Sequence, residues 1–146
     1  MKILIIAVGR ISVKSSEGVI LGEYLKRLPW QIEVREIEEE DGLKRTSEKI
    51  LKAVPNGYVP ILLDKDGKNY SSEEFASYLD KISIAGSGKI AFLIGASDGF
   101  HENIYKEVRN SISFGKMTYA HKLARIILAE QLYRAWAISV GHPYHK

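Results

Sequence analysis

The sequence predicts an α/β domain with a mostly parallel sheet, on three observations. Short β-rich apolar runs alternate with segments of helical spacing, two of the runs are apolar without interruption, and loop-forming sequences follow directly on those two. Uninterrupted runs suit central strands covered on both faces, and alternation with helices implies parallel βαβ connections.

Ile3 to Val8 is the first run. Six apolar residues are too few for a secretory signal and no small-residue cleavage site follows, so a buried first strand is expected. Ser16 to Leu28 has helical spacing and Pro29 closes it; Ile32 to Ile37 alternates like a half-exposed strand. Glu38 to Asp41 reads as a solvated loop before a second helix, Lys44 to Val54. Val59 to Leu63 is a central strand, and Asp64-Lys-Asp-Gly67 after it has the composition of a tight turn. Ser71-Ser-Glu-Glu74 forms a capping box that starts the helix Ser72 to Leu79. Ile90 to Ile94 is the second central strand, and Gly95-Ala-Ser-Asp-Gly99 follows it at once. Ligands of open parallel sheets bind beyond the carboxyl ends of the strands. The loops 64–67 and 95–99 are therefore expected to meet a ligand from one edge.

A chain of 146 residues predicts a single domain, 1–146, and 45% hydrophobic with 27% charged residues excludes a disordered, collagen-like or mucin-like chain. The absence of cysteine excludes disulfides, thiolate metal sites and a thiol nucleophile, and fits a reducing, cytoplasmic compartment. The net charge of +3 is unevenly spread: residues 106–146 carry seven basic and two acidic groups, hence +5, so the first 105 sum to −2. His121, His142 and His145 lie in the same quarter, where a polyanion is expected to bind.

Residues 120–138 hold His121, Lys122, Arg125, Glu130 and Arg134, too many charges for a membrane span, so a soluble protein is expected. On a helical projection His121 and Arg125 share one side, Glu130 and Arg134 the other, and Leu123, Ile126, Ile127, Leu128, Leu132, Tyr133, Trp136 and Ile138 fill the arcs between. Such a helix must be covered on more than one side. A second copy of the chain is the simplest cover beyond the sheet, so a homodimer is expected.

Generic signatures of dinucleotide, P-loop, serine hydrolase and zincin sites are absent, and His142 with His145 makes an incomplete metal site, so no metal is expected. A nucleotide- or flavin-binding doubly wound domain, the rival from the βαβ pattern alone, lacks a phosphate loop after the first strand, where Gly9-Arg-Ile-Ser-Val13 has one glycine.

Five motifs in order carry more: Phe92-Leu-Ile-Gly-Ala-Ser-Asp-Gly99, Ser113-Phe-Gly-Lys-Met-Thr118, His121 to Arg125, Glu130-Gln-Leu-Tyr-Arg-Ala-Trp136 and His142-Pro-Tyr-His145. Together they resemble the small SPOUT (α/β-knot) methyltransferases that methylate a pseudouridine of large-subunit ribosomal RNA, and the similarity covers essentially the whole chain. The resemblance implies a C-terminal trefoil knot, a homodimer, and S-adenosylmethionine as methyl donor to the ring imide nitrogen, N3, of a pseudouridine in 23S ribosomal RNA. It places the cofactor at Leu63, Gly95 and the loop Phe114, Gly115, Lys116, Met117, Thr118 and Tyr119. It places RNA at His121, Arg125 and Arg134, and catalysis at Arg134, His142, Tyr144 and His145, with Tyr144-His145 as a mobile tail that stacks on a splayed nucleotide.

Plainer readings stand beside these roles. Leu63 suits core packing, Gly95 a tight strand exit, Arg134 a pair with Glu130 one turn earlier, and Tyr144 a frayed terminus. The family commonly has glycine at Ala96 and proline at Ala120, departures that bear on cofactor affinity and remove no reacting group. The imide proton can be lost to a neutral histidine, or its anion favoured by Arg134 or a protonated histidine, and the sequence does not choose. The alternative function is a non-catalytic ribosome-binding factor that keeps the fold and the basic tail.

Overall fold

The computed structural model describes residues 1–146. The elements run β1 (Lys2–Val8), α1 (Ser16–Arg27), β2 (Gln31–Ile37), α2 (Leu43–Lys52), β3 (Val59–Asn69), α3 (Ser72–Ala85), β4 (Lys89–Ile94), α4 (Ile104–Glu107), β5 (Ser111–Ser113) and α5 (His121–Val140), then a 3-10 turn at Pro143–His145. The five strands form one sheet in the order β2-β1-β4-β3-β5, every pairing parallel, as an α/β chain requires. Register is fixed by pairs such as Ile3 with Ile90 and Ile61 with Phe92.

Strand side chains alternate between faces, and the core divides accordingly. Ile3, Ile5, Ala7, Ile61, Ile90, Phe92 and Ile94 face α3 and α5. Leu4, Ile6, Val8, Leu62, Ala91 and Leu93 face α2 and the 100–108 segment, through Ile50, Phe100, Ile104 and Val108. Local chemistry sets the helix starts: the Ser15 hydroxyl accepts from the Gly18 N–H at 3.1 Å, and Ser71 with Glu74 closes the expected capping box.

Two expectations are corrected. Residues 64–67 do not make a turn: β3 runs on to Asn69 through a shift of register between Leu63 and Lys68, pairing again with β5. Gly67 makes this possible, because a Cβ there would lie 2.7–2.9 Å from the Ile112 backbone. The third helix extends beyond Leu79 to Ala85. The outer sides of α5 are flanked by α1 and α3, with Ala129 against Leu21 and Leu132 in the main core, so neighbouring helices supply much of the cover that pointed to a second copy. No helix is long and apolar enough to cross a membrane.

Arg125, expected on the RNA side, is the largest fully buried side chain, 1% exposed. Its Nη1 donates to Glu36 Oε2 at 2.8 Å and its Nη2 to the Gly9 carbonyl at 2.7 Å. Glu36 Oε2 also accepts the Ile11 N–H at 2.6 Å. With no solvent-facing surface, Arg125 fastens α5 to the ends of β1 and β2 and makes no contact with RNA from this position. Burial pushes the Glu36 carboxyl up, but the bonds from Arg125 and Ile11 outweigh it and hold the group below its ordinary 4.5. A lowered carboxyl stabilises the fold above the unfolded value and ceases to do so as pH falls through the folded one. Denaturant unfolding should therefore show a loss of stability below about pH 4.5 that Glu36→Gln lacks. At neutral pH that variant should be less stable by on the order of 3 kcal/mol, since it leaves the buried guanidinium without its counter-ion.

Candidate functional site

The carboxyl ends of β3, β4 and β5 open into a cleft of about 360 Å³. One wall is Leu63 with Asp64, Lys65 and Asp66 on the bent part of β3; the floor is Ile94, Gly95 and the 96–100 loop. Phe114, Gly115, Met117, Thr118 and Tyr119 close the far side, and His121 and Ala124 on the first turn of α5 complete it. Both segments expected at one edge are therefore there, 64–66 as strand and 95–99 as loop, joined by most of the expected cofactor residues; Lys116 is exposed and outside the lining.

Leu63 serves two ends at once, packing on the core and lining the cleft. At Gly95 a Cβ would sit 2.6 Å from the Gly99 carbonyl oxygen and 3.2 Å from the Phe100 ring. The tight strand exit is thus the immediate reason for this glycine, which shapes the floor by letting the 95–100 loop fold back. Gly115, at φ +118°, takes a conformation that side chains disfavour where β5 turns into the far wall. Ser113 braces this turn: its hydroxyl accepts the Gly115 N–H at 3.0 Å and reaches the Lys65 carbonyl at 3.0 Å. Ala96 packs its methyl against the second core cluster, and Ala120 has φ −55°, which proline would also adopt. Both departures are accommodated by the backbone.

His121 is placed by Gly9. At φ +92° Gly9 turns its bare Cα toward the imidazole, where a Cβ would lie 3.1 Å from Nε2. The clamp of Arg125 on the Gly9 carbonyl, one turn along α5, keeps these two surfaces together.

Tyr105 is a cleft residue that sequence reasoning did not single out. Its hydroxyl donates a short hydrogen bond to Asp64 across the cleft, and burial and then that carboxylate push its pKa well above the ordinary 10, so the phenol stays protonated. A four-residue helix has no periodic signal, so only the basic-acidic composition around it was readable. Asp64, Asp66 and Asp98, all from the first 105 residues, make this cleft acidic.

The remaining expected residues gather elsewhere. Arg134 donates from Nε at 3.0 Å and Nη2 at 2.6 Å to Glu130 Oε1, the one-turn pair. Tyr144 folds back: its ring lies 5.1 Å from the Arg134 guanidinium and edge-on to Tyr133 at 4.6 Å, and its hydroxyl reaches Glu130 at 3.2 Å and Tyr24 at 3.4 Å. His142 lies against Tyr133 and Trp136, and its Nδ1 accepts the Tyr144 N–H at 3.2 Å. The tail is docked, so the frayed terminus and the free aromatic flap both give way to an aromatic cluster. Burial, and then the bonds to Tyr24 and Glu130, raise the Tyr144 hydroxyl above the ordinary 10, and it remains a neutral donor. From Ala124 at the cleft to Arg134 is ten residues of helix, roughly 15 Å. One chain therefore does not bring cofactor and tail residues together.

Comparison with known proteins agrees with this architecture. The family model described as "Predicted SPOUT methyltransferase" matches residues 1–145. A Carboxydothermus hydrogenoformans protein named ribosomal RNA large subunit methyltransferase H is 41% identical over 162 aligned positions, covering all of both chains. A protein of the same name from Zymomonas mobilis is 41% identical over 146, covering all of this chain and 99% of its own. A solved methylase-family structure from Haemophilus influenzae shares the fold with a TM-score of 0.54 at 13% identity, over 98% of this chain and 67% of its own. With a family match over nearly every residue and relatives at this identity end to end, the chain belongs to the SPOUT methyltransferases.

Proposed function

We propose that this protein transfers a methyl group from S-adenosylmethionine to the ring imide nitrogen, N3, of a pseudouridine in large-subunit (23S) ribosomal RNA, in the cytoplasm. The observation that carries the reading is the cleft at the strand ends, built from the motifs by which the chain resembles this family. The names of the relatives support the class of RNA.

The cleft suits the donor's chemistry. Leu63, Ile94, Phe114 and Met117 offer an apolar slot for adenine, three strand exits supply main-chain hydrogen bonds, and Asp64, Asp66 and Asp98 complement a sulfonium and an ammonium group. When bound, S-adenosylmethionine supplies a methyl group on a good leaving group, so the protein's task is alignment and removal of the acceptor's proton. His121, at the cleft mouth, is placed to contact the nucleotide. In this reading Arg134 favours the imide anion or binds a phosphate once RNA displaces Glu130, and His142, Tyr144 and His145 contact the base.

These tail groups act on a cleft roughly 15 Å away only if a second copy delivers them. We therefore read the active unit as a homodimer with the α5 helices antiparallel, which brings the tail of one copy to the cleft of the other. Exposed Val19 and Ile20 on α1 and Leu123 on α5 supply apolar surface for it. The knot implied by the resemblance belongs to the stretch from β4 to α5. A non-catalytic ribosome-binding factor would have no use for the donor cleft, and a donor-binding measurement separates the two.

Calorimetry should show S-adenosylmethionine binding without added metal; no binding would favour the non-catalytic reading. Gly95→Ala should weaken it at least tenfold and lower stability by about 1–3 kcal/mol, because the methyl group forces the 95–100 loop away from Gly99. Arg134→Ala, or truncation after Gly141, should leave donor affinity nearly unchanged yet reduce ribosome methylation at least a hundredfold, as read by mass spectrometry of ribosomal RNA nucleosides. Full methylation by the truncated chain would make the tail purely structural. Light scattering at micromolar concentration should report a dimer.

A further inference from the structure

A second cleft, of about 390 Å³, lies against the 114–119 loop, which also walls the first. The two share only Phe114, Gly115 and Tyr119. On α5 the second is lined by Ile127 and Gln131 where the first has His121 and Ala124, so it lies one to two turns, roughly 5 to 10 Å, nearer the tail.

Its chemistry differs from that of the donor cleft. The first has three aspartates in its lining; the second has no carboxylate. Its walls are aromatic and its rim is amide. Tyr70 is fixed on one side by the Tyr78 ring, stacked at 4.9 Å, and carries the Lys68 ammonium 4.9 Å from its centre. Tyr119 is 40% exposed and available to a ligand. The Gln131 amide is held in one orientation, since its Oε1 accepts from the Ser72 hydroxyl at 2.9 Å and its Nε2 donates to Glu130 at 2.6 Å. One N–H and one lone pair remain, a donor beside an acceptor, and Asn69 adds a second amide at the exposed edge. Lys68 at this mouth and Lys116 in the shared loop supply positive charge on the side where the donor cleft is negative.

Aromatic surface for a base face, amides for a base edge and lysines for phosphate are the elements by which single-stranded RNA is held. We propose that this second cleft binds one unpaired nucleotide of the RNA strand adjoining the methylated one, its base packed on Tyr119 and read by Gln131 and Asn69. The inference rests on the ribosomal RNA reading above. It adds a point that fixes the register of the strand, so that a single nucleotide reaches the donor.

The test is the pair Asn69→Ala and Gln131→Ala, combined in one protein. The KM for ribosomes should rise roughly tenfold, as expected for losing two polar contacts, while kcat at saturating ribosomes and affinity for S-adenosylmethionine stay within about twofold. An unchanged KM overturns the inference. So does donor affinity lost in step with methylation, which would make the cleft part of the donor site, or a shift from dimer to monomer, which would make it a subunit contact. If the wild-type protein itself leaves ribosomes unmethylated, the proposed function fails, and the cleft is then judged directly. The side-chain amide signals of Asn69 and Gln131 should shift saturably in nuclear magnetic resonance spectra as a uridine hexanucleotide is added to the wild-type protein. Signals that stay fixed overturn the inference.

Discussion

The buried guanidinium of Arg125 is the constraint on which the rest of the molecule depends. A charge that is 1% exposed is tolerated only where it is well paired, and here Nη1 is met by Glu36 from β2 and Nη2 by carbonyl groups at the end of β1, while Nε has no partner. The same Glu36 oxygen accepts the Ile11 N–H, so the chain leaving β1 is held by that bond. Two strand ends, one loop and one helix are thereby fixed by a single group. His121 precedes Arg125 by four residues and so stands on the same side of the helix, directly over Gly9. The position of an imidazole at the cleft mouth thus follows from an ion pair that never touches a ligand.

The second constraint is the length of α5. A helix of 20 residues carries the cleft residues on its first turn and the tail cluster on its last three. Glu130 makes the tail end self-sufficient, accepting from Arg134, Gln131 and Tyr144 together. In this arrangement Arg134 has its charge neutralised and its face covered by Tyr144, so that binding a phosphate means exchanging Glu130 for it. Such an exchange costs less than desolvating a free guanidinium, because the group is already ordered and partly out of water.

Much of this was legible in the sequence where a physical signal is continuous. The runs Ile3 to Val8 and Ile90 to Ile94 became the buried centre of the sheet, and Ser71 with Glu74 capped α3. Signals failed where an element is short or a contact is long-range. β5 has three residues and α4 four, below any period, and Asp64 to Gly67 has the composition of a turn yet runs on as strand because Ile112 passes close by. Arg125 could not be told from a surface arginine by its spacing. Its partner Glu36 is 89 positions away, and although alternation puts Glu36 on the face of Ile32 and Val34, nothing in the run says which distant group it meets. The loop Phe114 to Tyr119, a wall of the first cleft, is marked only by its place in the ordered motifs, since nothing in it is periodic.

The bend of β3 ties the two clefts together. Because Gly67 lets β3 pass over Ile112, the strand reaches Asn69 at the rim of the second cleft after Asp64 and Asp66 have lined the first. The acid-bearing part of one strand therefore lines the first cleft, and its amide-bearing end, next to Lys68, lines the second. The 114–119 loop separates them, braced by Ser113 and turned by Gly115, and any movement of Phe114 or Tyr119 on filling one cleft alters the wall of the other. On the proposed assignment of the two clefts, donor and RNA strand would be coupled through these shared side chains, a linkage that acts equally in both directions.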